Sequence, residues 1–96
     1  MTVFVATSAS SNESDDLRKN SDLINLAMKR YGKDIDVKTP FYEGRFPAGI
    51  NHHLYSLGKS IIFMAECDCA VFPEYSGSWI VSALNRIWNE THYERA

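Results

Sequence analysis

The chain has 96 residues, an apolar fraction of 45%, a charged fraction of 23% and a formal net charge of −2. This length suits a single domain over residues 1–96, and a domain this small commonly gains stability by forming oligomers. The slightly acidic, evenly mixed charge excludes a general nucleic-acid-binding protein, which needs a concentrated basic surface.

The sequence also argues against membrane insertion and secretion. No stretch approaches the roughly 18–20 apolar residues of a membrane span. The apolar N-terminus is too short for a signal peptide and lacks a leading positive charge. Cys67 and Cys69 are too few and too close for a disulfide framework. The expected location is therefore cytoplasmic, without membrane contact.

The first third of the chain predicts a strand and a helix. Residues 2–7 are β-branched, aromatic and uncharged, which predicts a strand buried on both faces. After a small polar loop, a helix begins at Ser14 or at Ser21, because each is an N-cap residue followed by acids in the first turn. Gly32 is the expected end of that helix.

The middle third predicts a second strand and a second helix. Residues 35–39 alternate apolar and polar and precede Pro40, which predicts a short edge strand. After a loop over residues 40–49, apolar residues recur at helical spacing from Ile50 to Met64, so a helix should run to about Glu66. Gly58 inside it predicts a close neighbour, because glycine in a helix otherwise costs about 1 kcal/mol.

The last third completes an alternating pattern of strands and helices. Residues 69–72 predict a third strand, residues 74–78 a tight turn, and a last helix begins near Trp79. The pattern predicts an α/β fold: a small three-layer Rossmann-like domain with three helices and a three-stranded parallel sheet in the order 2-1-3.

A ligand site is expected at the carboxyl ends of the strands, between the first and third strands, where the strand order reverses. Three loops meet there, over residues 8–12, 41–49 and 74–78. The candidate ligand-binding residues come from these loops: Ser8, Ala9, Ser10, Phe41, Tyr42, Arg45, Tyr75, Ser76, Gly77 and Ser78.

The turn before the last helix is the most informative of the three loops. Gly77 lies between two serines at a helix start, which offers backbone N–H groups, hydroxyl donors and the positive end of the helix dipole. This combination suits a phosphate. The alternative is that Ser76 or Ser78 only caps the helix and Gly77 only makes the turn.

The loop over residues 41–49, called the aromatic loop, also has two interpretations. Phe41 or Tyr42 would stack on a base and Arg45 would pair with a phosphate. Alternatively, these rings cover the core.

A metal site is not expected. His52 and His53 begin the second helix, whereas Cys67 and Cys69 follow its far end, roughly 20 Å away at 1.5 Å per residue. The spacing matches no zinc pattern, so we expect no metal and no cofactor, and the cysteines are interpreted as buried packing.

The last helix predicts contact with another subunit. Trp79 and Trp88 are nine positions apart, about 180° around a helix, so both cannot face the sheet. We therefore expect a homo-oligomer formed through Trp79, Trp88 and Tyr93.

Three segments together resemble the nucleoside 2-deoxyribosyltransferase and deoxynucleoside-monophosphate N-glycosidase superfamily over most of the chain. They are the first strand (Val-Phe-Val-Ala, residues 3–6), the run from Ile61 to Phe72 with Asp68 at the family's acid, and the Ser-Gly turn that opens a helix. The resemblance implies a Rossmann-like parallel sheet, oligomers that share active sites, and cleavage of an N-glycosidic bond. In that family a glutamate four residues after the turn glycine attacks the anomeric carbon.

This chain departs from the family at its catalytic acids. It has Val81 at the nucleophile, Tyr75 near the turn aspartate, and Ser60 at the acid two turns before Asp68. The resemblance then implies a protein that binds a nucleotide or a nucleotide-derived small molecule, to sense or sequester it, without the family's reaction.

Two alternatives remain open. Glu74 would replace the missing glutamate in an active N-glycosidase or deoxyribosyltransferase, or the chain is an interaction module with no small ligand. The opening strand and serine-rich loop also resemble a Toll/interleukin-receptor-like domain, but such domains have five strands and a longer chain.

Overall fold

Strands and helices alternate along the chain in the computed structural model, which describes residues 1–7, 18, 20–41, 46–75 and 77–91. Within these residues the elements are β1 (Thr2–Val5), α1 (Ser21–Tyr31), β2 (Asp36–Lys38), α2 (His52–Ala65), β3 (Cys69–Val71) and α3 (Trp79–Thr91). The strands form one parallel sheet in the order β2-β1-β3. The predicted α/β fold and strand order are confirmed.

The central strand β1 holds the sheet together. Phe4 is paired with Lys38 of β2 on one side and with Ala70 of β3 on the other. Val3, Phe4 and Val5 are all 0% exposed. The prediction of a first strand buried on both faces is confirmed, and the short second strand lies at an edge as expected.

Alternation along β1 creates two cores and therefore three layers. On one face, α2 and α3 pack over the first cluster, which comprises Phe4, Ala6, Met64, Cys67, Val81 and Leu84. On the other face, α1 packs over the second cluster, which comprises Val3, Val5, Ala27 and Val71.

Caps set the helix boundaries. The N-cap of α1 is Asn20, so the helix includes Ser21, the later of the two predicted starts. Gly32 ends α1 as predicted: it has φ of 104° and its N–H donates to the carbonyl of Met28 at 2.9 Å. The side chain of Asn51 accepts a hydrogen bond from the N–H of Leu54 at 3.1 Å, so α2 begins after Asn51 rather than at Ile50.

Helix α2 is longer than the strands it covers. Its 14 residues span about 21 Å at 1.5 Å per residue, whereas three to four strand residues span about 10–13 Å. Leu57, Ile61 and Met64 reach the core, but Ile50 and Leu54 are exposed. The first turns of α2 therefore extend past the sheet.

The close neighbour predicted at Gly58 is absent. A Cβ atom built on this glycine meets no other atom within 4 Å in the described part of the chain, and the residue is exposed. The prediction was wrong because the glycine lies on the solvent side of α2, where nothing requires a missing side chain.

Among the helices described, none has the length and apolar character needed to cross a bilayer.

Candidate functional site

The carboxyl ends of β1 and β3 define the candidate site. After β1 the chain continues through Ala6 and Thr7, which are fully buried. After β3 it leads through Phe72 and the following turn to the start of α3 at Trp79. Since β1 lies between β2 and β3, the strand order reverses between β1 and β3, and α3 begins beside that point.

Ser78, the last residue of the turn before α3, caps that helix. The Ser78 hydroxyl accepts a hydrogen bond from the N–H of Val81 at 3.4 Å, and the Ser78 carbonyl accepts one from the N–H of Ser82 at 3.1 Å. Ser78 is thus the N-cap, as the alternative interpretation of this turn predicted. Gly77 is exposed, and a Cβ atom added to it would meet no other described residue within 4 Å.

The described part of the aromatic loop packs against α2. The ring of Phe41 lies 5.8 Å from Tyr55, 6.0 Å from Phe63 and 6.4 Å from Phe46, with edge contacts throughout. The Phe41 N–H also donates to the buried Ser60 hydroxyl at 2.9 Å. This environment fits the core-covering interpretation of Phe41. Its stacking on a base stays a prediction.

The sequence predicted a subunit contact at Trp79 and a ligand contact at Tyr75, but not that exposed residues at the starts of α2 and α3 form one group. The His53 ring lies 5.9 Å from that of Trp79 and so connects the two helix starts. Tyr75 is 90% exposed, Leu54 64% and Trp79 51%. We call these four residues the apolar rim. The sequence contains a signal for this group, because the predicted strands are short. His53 and Leu54 precede the part of α2 that such short strands can cover.

Several predicted site residues lie outside the described residues, and their roles stay predictions: Ser8, Ala9, Ser10, Tyr42, Arg45, Ser76 and, on the last helix, Tyr93.

The two tryptophans of α3 diverge as the helical geometry predicts. Trp88 packs against the first core cluster, whereas Trp79 is half exposed. Contact of this helix with another subunit stays a prediction.

Two of the three positions at which the resembling family has acids, Val81 and Ser60, have structural roles here, whereas Tyr75 is exposed. Val81 is 2% exposed within the first core cluster. Ser60 is fully buried and fixes the Phe41 backbone. A carboxylate at either position would lose its hydration. Glu74 is an exposed carboxylate that precedes α3.

The two described histidines and the two cysteines lie at opposite ends of α2. His52 stacks on Phe46 with 4.3 Å between ring centroids, and His53 contacts Trp79. The Cys67 thiol, beyond the other end of α2, donates to the Phe63 carbonyl at 3.1 Å. Within the described ranges, no three His, Cys, Asp or Glu residues are grouped to hold a metal ion.

Two titratable groups near the end of α2 have shifted pKa values. The hydrogen bond from the Lys38 ammonium to the Glu66 carboxylate raises the pKa of Lys38. The same ammonium lies 5.6 Å from the Phe63 ring centroid. Burial raises the pKa of the Cys67 thiol. Lys38 lies on β2 and Cys67 follows the last turn of α2, so neither belongs to the predicted phosphate-binding turn.

A cavity of about 390 Å³ lies against α1 and is lined by Asn25, Met28, Lys29 and Lys33. These residues belong to the last two turns of α1 and to the segment after it, not to the loops of the predicted site.

Compared with known proteins, the chain matches no family model, no curated protein sequence and no solved structure.

Proposed function

We propose that this chain is a binding protein for a nucleotide or a nucleotide-derived small molecule, held at the carboxyl ends of β1 and β3. The observation that supports it is the position of the turn before α3, which lies where the strand order reverses and exposes Gly77. The first N–H groups of a helix have no acceptor within the helix and attract anions.

The ligand phosphate would lie at the start of α3, against Gly77 and Ser78, with Ser76 as a further donor. Ser8 to Ser10 would line the opposite wall, and Arg45 would neutralise part of the phosphate charge. The base would stack on Phe41 or Tyr42, as proposed from the sequence. The exposed ring of Trp79 is a second stacking surface within reach of the same turn.

Binding without catalysis is supported by the residues at the family's acid positions. Val81 belongs to the apolar core, and the Ser60 hydroxyl is used by the backbone of Phe41. Neither position supplies the carboxylate that the family uses, and both side chains are buried. The alternative of an active N-glycosidase or deoxyribosyltransferase depends on Glu74.

The test separates the anion site from the helix cap. Asp and Asn both cap helices as well as Ser does, so S78D and S78N should fold alike. The aspartate places a negative charge beside the proposed phosphate, so S78D should raise the nucleotide dissociation constant at least about tenfold, while S78N stays close to the original. Titration calorimetry with deoxynucleoside monophosphates measures both.

Three outcomes decide between the functions. Equal binding by S78D and S78N would contradict a phosphate at this turn. Release of free base from deoxynucleoside monophosphates, abolished by E74Q, would establish the enzyme instead. A melting temperature unchanged by the whole nucleotide panel would favour an interaction module, for which the apolar rim is the candidate surface.

We also propose a cytoplasmic homo-oligomer. Its support is the small size of the domain, the two free thiols and the half-exposed Trp79 at the start of α3.

A further inference from the structure

The two edge strands of the sheet differ in how they are protected. On one edge, β2 has the charged residues Asp36 and Lys38 on either side of Val37, and Pro40 follows closely. On the other edge, β3 consists of Cys69, Ala70 and Val71, without a charge. Native proteins commonly protect edge strands with charged residues and proline, because an open edge pairs with other strands.

The acid beside β3 does not protect its outer side. The carboxylate of Asp68 accepts a hydrogen bond from the backbone N–H of Thr2 at 2.9 Å, and the Asp68 N–H donates to the Thr2 carbonyl at 2.8 Å. Both groups are directed toward β1, inside the sheet. Asp68 therefore places no charge on the side of β3 that faces away from β1.

Two of the three side chains of β3 are less completely covered than those of Val3 to Val5, whereas Val71 is buried. Every residue of β1 from Val3 to Val5 is 0% exposed, whereas Cys69 and Ala70 are only half buried. The difference follows from position, because β1 has a strand on each side and, among the described residues, β3 pairs with β1 alone. A further strand beside β3 would cover the remaining apolar surface.

We propose that the β3 edge pairs antiparallel with β3 of a second copy of this chain, giving one continuous six-stranded sheet. Two-fold antiparallel pairing lets the outward N–H groups of each strand donate to the outward C=O groups of the other. Centred on Ala70, it places Asp68 opposite Phe72 of the partner subunit, so the two acids are kept apart.

A second copy suits this edge better than a different partner. β3 has three residues, too few for tight binding by strand pairing alone, so the partner must add contacts beside the strand. Ile87 and Trp88 of α3 pack on the same face as Ala70 and are partly buried. Two-fold pairing brings this region of both copies together. Six strands is also an ordinary sheet size, whereas three is small.

Lysine on each edge strand gives a matched test. C69K adds to β3 the kind of charge that protects β2, and V37K makes the same addition to the other edge strand. Sedimentation velocity over a concentration series should show a reversible dimer for the unaltered chain. C69K should raise its dissociation constant at least about tenfold through repulsion and desolvation of the lysines. V37K should leave it unchanged.

Hydrogen exchange keeps the test valid if C69K does not fold. In the unaltered protein, amide exchange over residues 69–71 should slow as concentration rises through the dimerisation range, while exchange in β2 stays constant. A monomer at every concentration, equal weakening by both lysine variants, or concentration-independent exchange in β3 would each overturn the proposal.

Discussion

Burial controls the chemistry of the Cys67 side chain. The residue is 9% exposed in the first core cluster, and burial raises the pKa of its thiol. Because only the thiolate reacts readily, we expect Cys67 to react with a disulfide reagent at pH 8 at least about tenfold more slowly in the folded protein than in urea. Absorbance during labelling of C69S, which leaves Cys67 as the single thiol, measures the rate.

The same shift gives a pH dependence of stability. Below the ordinary thiol pKa, Cys67 is neutral in both the folded and unfolded states, and its contribution is fully present. As pH rises further, the unfolded chain ionises first, so the free energy of unfolding should fall until the raised folded-state pKa is passed. A C67A variant should lose this part of the alkaline slope. In the labelling experiment on C69S, equal rates in buffer and in urea would contradict the burial of Cys67.

Residue-level patterns predicted some side-chain roles and missed others. The nine-residue spacing of Trp79 and Trp88 was enough to predict that only one faces the core, because helix geometry fixes it. The hydrogen bond from Phe41 to Ser60 could not be predicted, because it joins a loop residue to a helix residue 19 positions later in the chain. Contacts of that kind depend on the assembled fold, not on local spacing.

At the level of elements, Gly58 in α2 offers a direct test of helix propensity. It is exposed, has helical backbone, and has open space where a Cβ atom would lie. G58A should therefore raise the free energy of unfolding by about 0.5–1 kcal/mol, because alanine loses less backbone entropy on folding. Urea denaturation followed by circular dichroism measures the change.

Gly32 is the matched control for this substitution. Its φ of 104° and ψ of 164° belong to a region that is almost restricted to glycine. G32A should lower the free energy of unfolding by about 1–3 kcal/mol. Stabilisation by both alanines, or destabilisation by both, would mean that backbone conformation does not govern these two positions.

The elements themselves were predicted well and their ends less well. Apolar periodicity gave α2 correctly, but its stripe from Ile50 onward did not show that the first turns extend past the sheet. That result depends on the length of the strands relative to the helix. The same extension of α2 exposes Leu54 and brings His53 to Trp79. The apolar rim could therefore not be predicted without predicting that extension.

At the level of the whole molecule, the strand order could be predicted because short right-handed crossovers leave few arrangements for three parallel strands. The location proposed for the site follows from that order. Its details do not, because a turn such as Gly77 and Ser78 has the same sequence whether or not an anion approaches it. Fold and site therefore depend on different information, and only ligand binding tests the second.

Stability of the whole molecule should depend on the first core cluster, where α2 and α3 meet the sheet. Leu84 is 0% exposed at its centre, so L84A should leave a cavity and lower the free energy of unfolding by about 2–5 kcal/mol. L54A removes the same atoms from a side chain that is 64% exposed, and should change it by no more than about 0.5 kcal/mol. Urea midpoints at equal protein concentration compare the two, and similar losses would mean that Leu54 is covered in solution, as a subunit contact at the apolar rim would require.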